Sequence, residues 1–229
     1  MLNEQYSSSI SQLHLLQLVS PNLPIGAFTY SQGLENAVER GWVKDVLGLE
    51  DWLTGLLQEG LAYTDIPVLK RIYEALKEHE SESLLKWSSY LLATRESAEL
   101  RQEEMNRAKA MAKLLEDLHL PLDEKWREPM KLCQACPYAV ACVSWAIPIH
   151  QAMLGYVWGW LENQVCAAIK LVPLGQTQGQ RVQLSMSEKI PAEIEKALCL
   201  SDDDLGASAV SLAIASSLHE TQYTRLFRS

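Results

Sequence analysis

The residues that come closest to a chemical site are cysteines grouped in the middle of the chain. Cys133 and Cys136 have the C-x-x-C spacing, and Cys142 follows six residues later. Thiolates at this spacing can bind a metal ion or form a redox-active disulfide. Structural zinc needs four ligands, and the sequence contains no second C-x-x-C pair. We therefore interpret the three cysteines as small apolar core residues, and a metal site on them or a redox role is the alternative.

Residue combinations that carry out catalysis are missing elsewhere in the sequence. There is no H-E-x-x-H motif, no Gly-rich phosphate loop and no G-x-S-x-G, and the five histidines are scattered. The carboxylates between Glu96 and Glu104 have the pattern of a solvated helix face. We therefore expect a protein that is not an enzyme and that has no cofactor of its own.

The end of the chain has the composition of a protein interface. Residues 221–229 contain two arginines, three large apolar side chains and no acid. Arginine and aromatic residues are enriched at interface hot spots, and a free terminus gains nothing from exposed apolar side chains. We predict that this tail docks on a partner in preference to folding back on its own domain. The candidate contact residues are Tyr223, Arg225, Leu226, Phe227 and Arg228.

Two further groups of residues are candidates for contact surfaces. Tyr156, Trp158 and Trp160 lie within five positions, and at 100° per residue they cannot all face one core. We expect a contact patch at Tyr156 and Trp158. A second group follows one predicted helix face and is interpreted as a solvated, salt-bridged stripe, with an interface ladder as the alternative. Its members are Arg95, Glu99, Gln102, Asn106 and Lys109.

Composition indicates which kind of fold must position these residues. Leucine occurs 37 times, against 22 occurrences of valine and isoleucine together, which favours helices over strands. The chain is 48% hydrophobic and carries a net charge of −9, so it can bury a core and is not suited to sequence-general nucleic-acid binding. No long polar linker divides it. We predict a single all-α domain, residues 1–229, with about ten helices.

Periodicity locates the main helices. Residues 94–118 give the strongest helical signal, with Glu103 and Arg107 as an i,i+4 pair. Residues 12–19 are apolar nearly all round, which predicts a buried helix. Asp65 before Pro67 resembles a helix cap, and Ser81 is placed to cap the next helix.

The stretch between Lys131 and Glu162 is long enough to span a bilayer. Between Lys131 and Glu162 there is no Asp, Glu, Lys or Arg, but Pro148, His150 and Gln151 lie near the middle. Because polar groups in hydrocarbon are costly, we predict two buried helices that meet near Pro148. Residues 1–6 show no basic signal-peptide region, so we expect a cytoplasmic protein without a membrane segment.

Four segments of the chain together resemble the urease accessory protein UreF family. They are the loop SPNLPIGAFTYSQGLE at 20–35, TRESAELR at 94–101, the region from Glu162 to Gln180, and HETQYTRLFRS at 219–229. They occur in the family's order and span nearly the whole chain. The motif residues are Pro21, Pro24, Gly26, Tyr30, Gly33, Glu35, Arg95, Glu99, Arg101, Lys170, Gly175 and Gln176.

The resemblance implies a fold, partners and a role. UreF-like proteins are all-α homodimers that bridge a UreD-type (also called UreH-type) scaffold protein and the GTPase UreG. That assembly couples GTP hydrolysis to insertion of nickel into apo-urease. The resemblance implies that the tail residues dock on the UreD-type partner, and we place UreG at Tyr156 and Trp158. The runner-up is a nickel or zinc carrier that uses the cysteine cluster. Cys136 precedes Pro137 where the family pattern has histidine, and cysteine could replace it as a soft ligand.

Overall fold

The computed structural model describes residues 2–229, with side chains from residue 8 onward, and these residues form helices without any strand. The prediction of an all-α fold is confirmed, with eleven α-helices where about ten were expected. In chain order they are α1 Leu2–Leu18, α2 Leu34–Glu39, α3 Val46–Gly55, α4 Asp65–Lys77, α5 Ser81–Ala93, α6 Ala98–Asp117, α7 Ala135–Ser144, α8 Ile149–Leu171, α9 Gln176–Ser187, α10 Ile190–Leu198 and α11 Val210–His219.

The charge-free stretch folds as predicted into two helices of the core. Helix α7 ends at Ser144, and α8 begins directly after Pro148, which is its N-cap residue. The Tyr138 hydroxyl donates to the Ala152 carbonyl at 2.8 Å, and the Tyr73 hydroxyl donates to the Ile147 carbonyl at 2.9 Å. These bonds tie α4, α7 and α8 together. Within the described residues, no helix is both long and apolar enough to cross a membrane.

Helix α1 corrects one prediction. It was expected to be buried on all sides, but Leu13 is 65% exposed and Leu16 is 64% exposed. Only the opposite side of the helix packs on the domain, against α8 at Gly155. A Cβ added at Gly155 would lie 2.6 Å from Leu15 Cδ1, so the close approach of α1 and α8 requires glycine there. The apolar pattern of α1 therefore marks two faces, and the face with Leu13 and Leu16 is not covered by any described side chain.

The starts of three helices also differ from the sequence prediction. Helix α6 begins at Ala98 and not at Thr94, because Ser97 is the N-cap, and its Oγ accepts the Leu100 N–H at 3.1 Å. Asp65 does not cap α4, since its carboxylate is used by Arg95. Ser81 is the first residue of α5 and makes no side-chain cap. Only at Asp65 does a long-range contact take up the side chain that the sequence suggested as a local cap.

Between α3 and α4 the chain forms one π-helical turn at Leu56–Leu61. Such turns insert an extra residue into the helix and are frequent at functional sites. Here Leu56 and Leu61 line a cavity beside α8 that is described below.

Candidate functional site: the clamped C-terminal tail

The tail after α11 is held against the domain by the carboxylate of Glu35. Glu35 lies in the first turn of α2 and is only 7% exposed. Its Oε1 accepts the Leu226 backbone N–H at 2.6 Å, and its Oε2 accepts the Phe227 N–H at 2.9 Å. A charged acceptor for two backbone donors makes strong bonds, which fixes the direction of the tail.

His219 supports this clamp from the end of α11. The imidazole is completely buried between two carboxylates, with Nε2 3.1 Å from Glu35 Oε2 and Nδ1 2.6 Å from Glu99 Oε2. The other oxygen of Glu99, Oε1, accepts a hydrogen bond from Arg225 Nη1 at 2.5 Å. Two motif glutamates on different helices are thus joined through one histidine. Sequence reasoning placed His219 only as a residue before the tail, and no local pattern could reveal its partners.

The last residue is anchored as firmly as the middle of the tail. Ser229 is buried, and its backbone oxygen accepts the Ser31 N–H at 3.0 Å and the Ser31 hydroxyl at 2.6 Å. The Ser229 hydroxyl donates to Glu103 Oε2 at 2.7 Å. The Phe227 ring is buried in the core, with Lys170 Nζ 5.6 Å from its centroid. The preference for a docking tail over one that folds back is therefore corrected, because these residues do fold back.

The same clamp turns the other tail side chains outward. Tyr223 is fully exposed, Leu226 is 65% exposed, and Arg225 and Arg228 also lie at the surface. Four of the five candidate tail residues are accessible, whereas Phe227 belongs to the core. A tail that is fixed in position before it meets a partner loses less conformational entropy on docking. Partner docking through these side chains stays a prediction.

The loop that precedes α2 follows the tail closely. The Thr29 carbonyl accepts the Arg228 N–H at 2.9 Å. Gly26 and Gly33 both have positive φ, at 73° and 76°, which glycine adopts without strain. A Cβ at Gly33 would lie 3.2 Å from Ala215 Cβ, so the absence of a side chain at this position also lets α11 pack closely. The loop motif is thus explained by the tight packing of α2, α11 and the tail, while Pro21 and Pro24 complete a turn-rich connection.

Arg95 joins two helices at the centre of the structure. Its Nη2 lies 2.5 Å from Asp65 Oδ1, and its Nε donates to Glu104 Oε2 at 2.8 Å. Glu104 also accepts the Gln134 backbone N–H at 2.9 Å. Burial alone would raise the pKa of Glu104, but the charges of Arg95 and Arg107 outweigh it, and the pKa lies below its ordinary value. This arginine therefore acts as a structural cross-link between α4 and α6.

Those contacts correct the two interpretations of α6. Arg95 precedes the helix, so the stripe of Arg95, Glu99, Gln102, Asn106 and Lys109 does not form one solvated face. Arg95 and Glu99 are used inside the fold, and only part of the stripe is exposed. The carboxylates between Glu96 and Glu104 do not form one solvated face either, since Glu96 is exposed but Glu103 is 2% exposed and Glu104 is 6% exposed. The predicted Glu103–Arg107 pair is confirmed at 2.9 Å.

The remaining motif residues serve local structure. Arg101 Nη1 donates to the Arg95 carbonyl at 2.6 Å, and the Tyr30 hydroxyl accepts Asn106 Nδ2 at 3.2 Å. Gly175 precedes α9, and its N–H donates to Gln178 Oε1 at 2.8 Å, while Gln176 is the first residue of that helix.

Tyr156 and Trp158 are both half-buried on α8. Tyr156 packs edge-on against Tyr138, with ring centroids 5.3 Å apart, and it lines the cavity beside α6. An open aromatic patch at this pair is therefore smaller than expected, because Tyr156 turns toward the interior. The role of the pair as a contact for UreG stays a prediction.

The cysteine cluster is packed into the core. Cys133, Cys136 and Cys142 are buried and free of disulfides. Burial raises the pKa of the Cys136 and Cys142 thiols to about 12. Among the described residues, no group of three or more histidine, cysteine, aspartate or glutamate side chains is arranged so that it could hold a metal ion. Metal ligation by cysteine requires the thiolate, so this environment favours the core interpretation over the carrier.

Comparison with known proteins identifies the family. The UreF family model matches residues 43–187. The urease accessory protein UreF of Pseudomonas putida W619 is 48% identical over 223 residues, which cover 97% of this chain and all of that protein. UreF of Alkalilimnicola ehrlichii is 46% identical over the full length of both chains, and UreF of Chromohalobacter salexigens is 44% identical over 94% of this chain and 93% of its own. The resemblance noted in the sequence is confirmed, and the chain belongs to the UreF family of urease accessory proteins.

Proposed function

We propose that this protein is the bridging subunit of a urease-maturation assembly. It would bind a UreD/UreH-type scaffold and the UreG GTPase, and the assembly would insert nickel into apo-urease at the expense of GTP. Nickel is cargo of that assembly, the hydrolytic site belongs to UreG, and this chain contributes contact surfaces without catalysis. We place this work in the cytoplasm, where no disulfide or membrane segment is needed.

One observation carries the proposal. The tail is fixed by Glu35 and Ser31 at its backbone, while Tyr223 and Leu226 present apolar side chains to solvent. Tyrosine and arginine are enriched at interface hot spots, and an ordered backbone lowers the entropy cost of docking. The adjacent Arg228 is also exposed, and no hydrogen bond or ion pair of its side chain lies within the part of the chain described. This tail face is proposed to receive the UreD-type scaffold.

The contact with a second copy of the chain and the contact with UreG are proposed on two other surfaces. The uncovered face of α1, with Ile10, Leu13 and Leu16, offers apolar area for a second copy of the chain. UreG is proposed to bind at the face that includes Trp158.

The first experiment is a deletion of the gene followed by purification of urease. Abundant urease that is inactive and poor in nickel would support a maturation role. Urease with full activity and full nickel content would overturn the proposed function.

The second experiment tests the tail face directly. The double variant Tyr223→Ala, Leu226→Ala is co-expressed with the UreD-type protein and purified by a tag on that partner. We expect co-purification to be lost while the circular dichroism spectrum is unchanged. Leu184→Ala, which removes an equally exposed leucine on α9, is the matched control and should co-purify normally. Retention of the double variant would place the scaffold elsewhere.

A further inference from the structure

A cavity of about 360 Å³ lies between the loop before α2, the π-helical turn, the start of α6 and the middle of α8. Its size is within the range of small-molecule sites. It reaches the surface beside Phe28, Glu96 and Ser208, all of which are exposed. A small molecule can therefore enter the cavity from solvent.

The wall of the cavity carries an excess of negative charge. Five carboxylates line it, against two arginines, and no lysine or histidine is among the lining residues that the structure describes. The carboxylates belong to Asp65, Glu96, Glu103, Glu104 and Glu162, and the arginines are Arg95 and Arg107. At neutral pH the negative charges outnumber the positive ones by three, which disfavours an anionic ligand and favours a cation.

Both arginines are already committed to carboxylates on the inner side of the wall. Arg95 bridges Asp65 and Glu104, and Arg107 Nη1 lies 2.9 Å from Glu103 Oε1. The side chains of all five residues are less than one fifth exposed.

The two remaining carboxylates of the wall, Glu96 and Glu162, form no ion pair within the described part of the chain. Glu96 accepts the Ser208 hydroxyl through Oε1 and keeps Oε2 free of hydrogen bonds to described residues. The negative charge that is left over thus lies on these two side chains.

Glu162 has the environment that most favours a cationic partner. It is half-buried on α8, and it makes no hydrogen bond with any residue that the structure describes. Burial raises the pKa of Glu162, because the carboxylate loses water and no positive group compensates for the loss. A cation beside this carboxylate would restore a favourable interaction that burial has removed.

The rest of the wall favours an organic cation over a metal ion. Five apolar or aromatic side chains line the cavity and keep part of their surface accessible, namely Leu23, Phe28, Tyr156, Trp160 and Leu212. An alkyl chain gains free energy by burying its surface against them, and aromatic rings also attract ammonium groups. Among the described residues, no set of three or more histidine, cysteine or carboxylate side chains could hold a metal ion.

We propose that this cavity binds a small alkylammonium ion whose charged head group pairs with Glu162. The apolar body of the ligand lies along the accessible leucines and aromatic rings of the wall. The site is separate from the exposed tail face, and it does not depend on the proposed role in urease maturation.

Two matched pairs of variants test the head group and the body of the ligand. Glu162→Gln removes the charge at the site, whereas Glu188→Gln removes an exposed carboxylate after α9 that does not line the cavity. Gly159 lines the cavity, and a Cβ added there meets no atom within 4 Å, so Gly159→Leu would fill the space. Gly55 has equally open surroundings outside the cavity, and Gly55→Leu is the control.

The probes are hexylammonium, hexanamide and hexanoate, which share one apolar chain and differ in the head group. Binding to the purified full chain is measured by isothermal titration calorimetry at neutral pH. We expect one saturable site that binds hexylammonium at least tenfold more tightly than the other two probes. Glu162→Gln should weaken hexylammonium at least fivefold and Gly159→Leu at least tenfold. Glu188→Gln and Gly55→Leu should each change its affinity less than twofold.

Four results would overturn the proposal. The first two are a lack of saturable hexylammonium binding and equal or tighter binding of the amide or the carboxylate. The third is an equal loss of affinity in Glu162→Gln and Glu188→Gln, which would indicate attraction to the net charge of the protein. The fourth is unchanged binding to a folded Gly159→Leu variant. If that variant fails to fold by circular dichroism, the probe series and the Glu162→Gln comparison decide the outcome, because neither alters the glycine.

Discussion

The Glu35 carboxylate accepts the backbone N–H of Phe227 at 2.9 Å, across 192 positions of the sequence. The same carboxylate binds the Leu226 N–H and the buried His219 ring. One side chain near the start of the chain thus sets the path of its end. This relationship separates two functions of the tail, since its backbone and Phe227 belong to the fold while its neighbours face solvent.

Replacing Glu35 with glutamine should destabilise the protein. The amide can accept through one oxygen only, and its NH₂ group would face the N–H donors of the tail. Loss of a charged acceptor for buried donors costs about 1–3 kcal/mol. The measurement is urea unfolding followed by circular dichroism. Glu39→Gln, on the same helix but exposed, is the control and should change stability by less than about 0.5 kcal/mol. Equal midpoints for both variants would contradict the clamp.

Truncation to alanine should affect protein stability strongly at Phe227 and hardly at all at the neighbouring Leu226. Phe227→Ala empties a core position and should lower the free energy of unfolding by about 3–5 kcal/mol. Leu226→Ala removes an exposed side chain and should leave stability nearly unchanged. Both variants are compared by urea unfolding and by binding to the UreD-type partner. A stable Phe227→Ala variant would show that the tail is not part of the core in solution.

Removing the charge of Arg95 should be among the more damaging single changes in the molecule. Arg95→Met leaves Asp65 and Glu104 buried without their main partner. Breaking a buried ion pair in this way costs about 3–5 kcal/mol. Arg127→Met removes an exposed arginine that pairs with Glu116 and Glu124, and it should cost less than about 1 kcal/mol. The thermal midpoints of the two variants, measured side by side, check this difference.

The same variant should change the response of stability to acid. In the wild type the pKa of Glu104 is lower when folded than when unfolded, so its contribution is complete above the unfolded value of about 4.3 and is lost as pH falls through the folded value. In Arg95→Met the pKa of the desolvated Glu104 carboxylate rises toward or above its unfolded value, so the variant, although less stable at neutral pH, should lose less stability than the wild type as pH falls. Urea midpoints between pH 7 and pH 3.5 test this. Parallel curves for variant and wild type would exclude Glu104 as the titrating group.

Thiol reactivity should divide the five cysteines into two classes. Cys166 and Cys199 are exposed, whereas Cys133, Cys136 and Cys142 are buried. Burial raises the pKa of the Cys136 and Cys142 thiols to about 12. Ellman's reagent at pH 8 should therefore modify two thiols quickly and the other three only after denaturation. Fast reaction of a third thiol in the native protein would indicate an accessible cysteine and would revive the carrier hypothesis.

Local patterns were sufficient for the helical class and for the main break between helices, but not for every helix start. Leucine content and apolar periodicity predicted an all-α fold, and the position of Pro148 predicted the break between α7 and α8. These features depend on residues within a few positions of one another, and helix periodicity records them directly. The tail composition also identified the residues of interest, although not their environment.

Long-range packing decided what the pattern left open. The sequence shows glutamates at 103 and 104 but not the arginines and the amide that allow them to be buried. It shows that α1 is apolar, but not that only one face of this helix packs against the domain. Ser31 and Ser229 are 198 positions apart, and their bond forms only when α2, α6 and α11 are packed together. Composition and periodicity report the preferences of single residues and of near neighbours, so the sequence by itself determined the helices and their apolar faces. The tertiary structure decided which charges pair and where the tail ends, because these contacts depend on residues far apart in the chain.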